Sequence, residues 1–554
     1  MTTSAPGRAQ ATVRRILLFV ILFALVTVAA IGVSGLLESL FVGSEVISGS
    51  QGTLARSLAF TVIGAPLAVL LWWWERRRLQ DPAERDSVAW PLYLIAMSTT
   101  ALVTATFALG TVLAVAAVGG RWRVGDLAVG VVWLIVWMLH RFVAQRPATA
   151  PTRLVTVSGL IGSTFGLAVA ASGAVTALAE LLTPVLDGFA VPIVGSSGWG
   201  GRVAQGLIWA ALGALVWWWH WHRERAGRAR GSFAAVVIVV IIGVSAAATV
   251  FATATLLWIG LRLLFDRSTE TVAEITAPLD LALAVALVAG VVWAAHGVVL
   301  SRWTPRVRDA ARLVVSGVGL LGAAIGFGVV VNALLASITS VVVDDDPRTL
   351  LLAGVSALVV SAPVWWLAWR PTRRVTAAEA ADPARRVFLV AIFGASAIVA
   401  IVTILLIGYR LFEAVLGSQS MDVVIERVRA PLGLLSATAL VFAYHFTVWR
   451  ADRRAVPSAP RPAFGRVTLM IDEGAAGDAL VQRVRAATGA RVDVWPSAAG
   501  EPGLSDAHAD AVVAALGAVA AALAGADGAP QNPDGRVLVL PETGGGVRTV
   551  RLKG

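Results

Sequence analysis

The sequence predicts an all-α polytopic membrane protein with about 12 transmembrane helices in six helical-hairpin repeats, followed by a small C-terminal α/β domain. Three observations predict it. Apolar residues make up 57% of the 554 and charged residues only 14%, against about 45–50% and about 25% in soluble domains. Twelve apolar stretches each approach or exceed the roughly 20 residues that cross a bilayer as a helix. A Trp-x-x-His signature recurs along the chain at near-constant spacing, the mark of internal repetition.

The N-terminal segment 1–15 is short, polar and basic, with Arg8, Arg14 and Arg15. The apolar run 16–37 that follows exceeds the roughly 7–15 residues of a signal-peptide core, so it reads as a retained first span. The remaining stretches are 57–74, 90–118, 125–143, 154–182, 203–221, 233–261, 278–300, 313–341, 349–369, 387–412 and 431–449. In lipid every backbone polar group needs an internal partner, so these are expected to be helices. Barrel strands would be short and alternating, a pattern the chain lacks.

The stretches pair up, and each second member closes on an aromatic residue followed three positions later by a repeated site. Those pairs are Trp72/Glu75, Trp137/His140, Trp217/His220, Trp293/His296, Trp365/Ala368 and Phe442/His445. Spacings of 65, 80, 76, 72 and 77 residues separate the six sites. Four of the six histidines in the chain lie there. The repeats span 16–454.

Charge sets the expected orientation. Residues 455–554 carry nine basic and ten acidic side chains, so the net charge of +11 lies wholly in the membrane part. This distribution argues against nucleic acid as a partner. With the N-terminus inside, the inner segments hold 26 arginines and the outer ones 10, the bias that orients membrane proteins. Both termini are therefore expected to be cytoplasmic. The Arg-, Ala-, Gly- and Val-rich composition suggests a GC-rich bacterial genome, and the expected location is a bacterial inner (plasma) membrane. Cysteine is absent, which excludes a disulfide framework and thiolate chemistry.

A Pro-rich linker, 455–463, is expected to be extended. Beyond it, 464–554 reads as a cytoplasmic α/β domain of β-α-β-α-β-β order. Its strands are 467–471, 491–495, 536–540 and 547–552. Its helices are 475–488 and 505–524, the second capped by Ser505, and Gly544–Gly546 form a hairpin turn.

Trp at i and His at i+3 share one helix face. One reading is an interfacial belt: 15 of the 21 tryptophans lie at or near the arginine-bearing ends of the even helices. The sharper reading is a binding site made of His140, His220, His296 and His445 with Trp137, Trp217 and Trp293. Histidine ligates metals and haem iron and titrates near neutrality. Glu75 and Ala368 break any six-fold ring. Ionisable groups that would mark a transport path are confined to the outer helix ends, at Glu180, Arg262, Asp280, Arg410 and Glu413, with Asn332 in the outer half of the ninth span. Gly162-x-x-x-Gly166 and Gly322-x-x-x-Gly326 favour close helix packing, and Pro66 and Pro363 interrupt two even spans. In the tail, Asp472, Glu473, Asp506, His508 and Asp510 read as solvated surface, and no P-loop is present. No catalytic residue, metal or cofactor is assigned.

The hairpin closing on Trp-x-x-His, at Trp137/His140, Trp217/His220, Trp293/His296 and Phe442/His445, resembles an uncharacterised bacterial membrane family. That family is classed as a domain of unknown function and tends to occur in tandem copies. The likeness covers about 14–454, departs at Glu75 and Ala368, and implies architecture without an activity. The expected function is a non-enzymatic scaffold or sensor, with the lipid bilayer and a cytoplasmic protein on the tail as partners. A transporter or channel for a neutral or weakly charged solute, and a haem- or metal-binding membrane protein, are the alternatives.

Overall fold

The structure, a computed structural model, describes residues 5–42, 50–187, 198–267, 270–338, 347–372, 376, 380, 382–418, 420–455, 465–471, 476–497, 503–523, 535–542 and 546–552. Contacts divide the chain into two compact units, Met1–Arg374 with Asp382–Trp449, and Val375–Ala381 with Arg450–Gly554.

Twelve long helices account for the first unit among the described residues. They are α1 (Ala5–Val42), α2 (Gln51–Arg78), α3 (Ala89–Ala117), α4 (Val124–Gln145), α5 (Val157–Asp187) and α6 (Trp199–Trp218), then α7 (Ser232–Phe265), α8 (Val272–Leu300), α9 (Pro305–Ala336), α10 (Pro347–Trp369), α11 (Pro383–Leu416) and α12 (Met421–Ala455). Eleven are long and apolar enough to cross a membrane, which makes the chain a multi-pass membrane protein. The exception is α6. Its 20 residues include Arg202 and Gln205 as well as four tryptophans and four glycines, which leaves too short a strongly apolar stretch.

Several helices overrun their apolar stretches, because each residue added to an existing helix gains a backbone bond at little nucleation cost. The polar start of α1 is held in place: Arg15 Nε donates to Glu84 Oε2 at 2.7 Å. The π turn Phe60–Gly64 precedes Pro66 in α2. Proline has no N–H to offer the carbonyl one turn back, and the wider turn absorbs that loss. Pro363 stays inside α10, as Pro184 does inside α5 and Pro431 inside α12.

Two odd–even neighbours, α5–α6 and α9–α10, pair antiparallel along glycine seams. A Cβ on Gly166, Gly173 or Gly206 would come within 3 Å of the backbone of Trp217, Ala210 or Ala177 across the α5–α6 seam. In α9–α10, Gly319 and Gly326 meet the backbones of Trp365 and Leu358 in the same way. The matched glycines are therefore Gly166 with Gly319 and Gly173 with Gly326. Lining up Gly162-x-x-x-Gly166 with Gly322-x-x-x-Gly326 on sequence alone places the two hairpins seven residues out of register.

The second unit holds a four-stranded sheet in the order β2-β1-β3-β4. Its elements are β1 (Arg466–Ile471), α13 (Ala476–Thr488), β2 (Arg491–Pro496), α14 (Ala509–Leu523), β3 (Arg536–Glu542) and β4 (Gly546–Leu552). Strand β1 runs parallel to β2 and β3, and β3 pairs antiparallel with β4. This is the element order expected from sequence. Val467, Leu469, Leu480, Val484, Val512, Leu516 and Val539 form its fully buried core. Ser505 precedes a short turn into α14, and its backbone N–H donates to His508 Nδ1 at 3.2 Å. Gly546 opens β4 opposite Glu542. Asp344–Asp346, Asp472, Glu473, Gly544, Gly545 and the linker after Ala455 lie outside the described residues.

Candidate functional site

The repeated position sits at the end of the even helices that carries the arginine loops. All four histidines there adopt one local geometry. Their Nδ1 atoms lie 2.7, 2.8, 2.8 and 2.9 Å from the carbonyl oxygens of Val136, Val216, Val292 and Val441, one turn back on the same helix. A carbonyl only accepts, so Nδ1 carries the proton and Nε2 is the free acceptor. A valine precedes the aromatic residue in all four motifs. Any residue supplies that carbonyl, so the bond itself does not explain the valine.

What Nε2 meets differs from one helix to the next. His140 accepts from the Tyr93 hydroxyl of α3 at 2.9 Å. His220 is buried, and its ring fills the place a Cβ on Gly162 of α5 would take. His445 is fully buried, and its Nε2 has no hydrogen-bond partner among the described residues. His296 is buried beside Trp221.

Each ring also faces an aromatic from a neighbouring helix. Tyr93 lies 5.7 Å from His140, Trp137 lies 5.9 Å from His220, Trp221 lies 5.8 Å from His296 and Trp369 lies 5.6 Å from His445. Such separations suit edge and offset ring contacts worth about 0.5–1.5 kcal/mol beyond burial. The contacts form two runs at the arginine end, one joining α3 to α4, α4 to the turn after α6 and that turn to α8, the other joining α10 to α12. The result is a collar of aromatic–histidine contacts. It does not gather the histidines into one pocket. Among the described residues, no group of three or more His, Asp or Glu side chains could hold a metal ion.

The three tryptophans predicted with them divide. Trp137 contacts His220 and Trp219. Trp217 stacks on Trp221 and meets His222 edge-on. Trp293 is half-buried and has no ring contact of its own among the described residues. Sequence reasoning marked Gly162 for close packing but missed its pairing with His220, and it missed the parts played by Tyr93, Trp221 and Trp369, because these partnerships run between helices and leave no fixed spacing in the chain.

The two departures have different surroundings. Glu75 is buried 3.6 Å from Arg78, whose guanidinium also reaches Glu84, the carboxylate held by Arg15. The first hairpin thus replaces imidazole with a charge cluster. At the α9–α10 seam, Ala368 occupies the position matched to His220, and Val315 the position matched to Gly162, when the glycine seams are superposed.

At the opposite end the ionisable groups are paired. Arg262 binds Asp266 and Glu270 at 3.3 and 2.9 Å, Arg202 binds Glu180 at 2.6 Å, and Thr183 donates to Asp280 at 2.9 Å. Arg427 reaches Glu413 at 3.2 Å, and Arg429 donates to Asn332 at 3.0 Å. Arg410 donates to the Arg427 carbonyl. An apolar cavity of about 430 Å³ lies between α9, α11 and α12, with Asn332 at one end and Gly317 at the other.

No curated protein and no solved structure is significantly similar to the chain. Residues 15–139 and 309–440 each match a family described as a domain of unknown function (DUF5671). The first stretch holds α1 to α3 and most of α4, the second α9 to α11 and most of α12, and each stops just short of its histidine, His140 or His445.

Proposed function

We propose that the chain is a non-enzymatic scaffold or sensor of a bacterial inner membrane. Its six hairpins are tandem copies of one two-helix unit, both termini are cytoplasmic, and its C-terminal domain engages a cytoplasmic protein. The observation that carries this reading is the collar. Each histidine proton is spent on its own helix and each ring on an aromatic neighbour, a use of histidine that builds contacts between helices. The two four-helix stretches with a common family match, and the shared register of the α5–α6 and α9–α10 seams, support tandem repetition. Exposed Trp495 on edge strand β2 supports a protein partner for the tail.

One set of variants tests the reading: His140→Ala, His220→Ala, His296→Ala and His445→Ala, purified in detergent. Each is expected to lower the thermal midpoint, the preparation to show no Soret band or stoichiometric metal, and proteoliposomes to show no histidine-dependent solute flux. A Soret band or bound metal lost with the histidines would establish the cofactor reading instead. Flux abolished by His140→Ala at unchanged stability would establish the transporter. Reporter fusions after residues 50 and 455 are expected to report outside and inside, and the reverse would sink the orientation.

A further inference from the structure

A cleft of about 200 Å³ lies at the arginine end between α3, α4 and the start of α5. Its volume is far above the roughly 10–15 Å³ that one water needs. Five polar side chains line it: Ser98, Arg141, Gln145, Ser158 and Glu224. Arg141 Nη2 lies 2.7 Å from Glu224 Oε1, and Arg141 Nη1 donates to Ser158 Oγ at 3.1 Å. Their side chains are only 16% and 6% exposed. Four buried atoms make no hydrogen bond among the described residues: Arg141 Nε, Ser98 Oγ and both Glu224 oxygens, of which Oε1 is in ion-pair range of Arg141 and Oε2 is the one left over. Leaving a buried donor or acceptor unmade costs about 1–3 kcal/mol, more for charged groups.

The backbone is bent to make this arrangement. A π turn, Trp219–Arg223, delivers the chain to Glu224, and Arg225 follows at φ 60°. Leu154, which lines the cleft, sits at φ 54°. Left-handed conformations are uncommon for bulky residues and cluster at functional sites.

The unfilled atoms describe a ligand. Arg141 Nε–H seeks an anion, Glu224 Oε2 seeks a cationic N–H donor, and Ser98 adds a hydroxyl. Around them are Pro91, Leu94 and Ile95, and at the mouth the apolar side chains of Leu154 and Val155 are 42% and 63% exposed. The cleft begins one residue beyond His140, where α4 leaves its apolar stretch, at the depth of lipid headgroups. We propose that it binds an aminoethyl-phosphate group, with the phosphate on Arg141 and the primary ammonium on Glu224. A trimethylammonium has no N–H to give Oε2, and a headgroup with only negative charge would meet the Glu224 carboxylate. The same chemistry is offered by phosphatidylethanolamine in the bilayer and by free phosphoethanolamine in solution. The exposed apolar mouth favours the lipid.

The test uses the full-length protein, delipidated in detergent. Thermal midpoints and native mass spectra are recorded with chain-matched phosphatidylethanolamine, phosphatidylcholine and phosphatidylglycerol, and with soluble phosphoethanolamine. Phosphatidylethanolamine is expected to be retained about tenfold better than phosphatidylcholine, the preference that one charge-assisted hydrogen bond supplies. Glu224→Gln is expected to erase that preference. Should this variant fail to fold, Gly159→Ala, whose Cβ would lie 3.3 Å from Oε2, is expected to weaken it. Phosphoethanolamine competing off the lipid at stoichiometric levels would keep the site and assign it to the soluble ligand. Equal retention of all three lipids, with no effect of phosphoethanolamine, would overturn the proposal, as would a preference unchanged in both variants.

Discussion

At the residue scale, the exchange of side chains between His220 and Gly162 explains more than the Trp-x-x-His spacing does. The imidazole of α6 lies where a side chain on α5 would begin, so each residue constrains the other. At the matched places in α9–α10 the chain carries Val315 and Ala368, a larger residue against a smaller one. Gly162→Val is therefore expected to cost about 1–3 kcal/mol, the range for overpacking a filled site. In the His220→Ala background the same change should cost little or should stabilise. A double-mutant cycle read by thermal unfolding in detergent is expected to give a coupling of about 0.5–3 kcal/mol, as for residues in contact. Strict additivity would refute the pairing. The signature itself was legible because histidine is rare in this chain. The glycine that accommodates it was not, since a contact between two helices has no period in sequence.

At the element scale, the close seams decide which helices belong together. Gly166, Gly173 and Gly206 let α5 and α6 approach until backbone meets backbone. In lipid no hydrophobic force drives such an approach, so packing must supply it. Helix α6 depends on this most, because it alone of the twelve is not long and apolar enough to cross a membrane unaided. Gly173→Ala is expected to destabilise by about 1–3 kcal/mol. Gly408→Ala and Gly394→Ala, where an added Cβ meets nothing within 4 Å, are expected to be neutral or stabilising by up to about 1 kcal/mol through helix propensity. Equal effects at all three glycines would mean that the seam does not govern stability. The twelve helices were legible from apolar length. Their registers were not, because glycine is so frequent that several alignments of the hairpins look alike until the close approaches select one.

At the scale of the whole molecule, the chain divides where its physics changes. The membrane unit takes its order from helix length and small residues. The tail takes its order from a conventional buried core, and its β-α-β-α-β-β sequence could be read because strand runs and helix periodicity alternate cleanly after the linker. All the fully buried side chains of that core, from Val467 to Val539, lie within the tail itself. A domain of about 90 residues is large enough to bury such a core independently. Residues 464–554 expressed alone are therefore expected to be soluble and monomeric, with mixed helix and strand ellipticity and one cooperative thermal transition. Leu469 is fully buried on the central strand β1. Leu469→Asp should abolish that transition, since an unpartnered carboxyl there must be buried charged or be neutralised at a cost, which with the lost leucine packing is comparable to the roughly 5–15 kcal/mol that holds a domain together. A wild-type fragment without a cooperative transition would show that the tail needs the rest of the chain to fold. It would then be no freestanding module, and its proposed role in engaging a cytoplasmic protein would have to be carried by the intact chain.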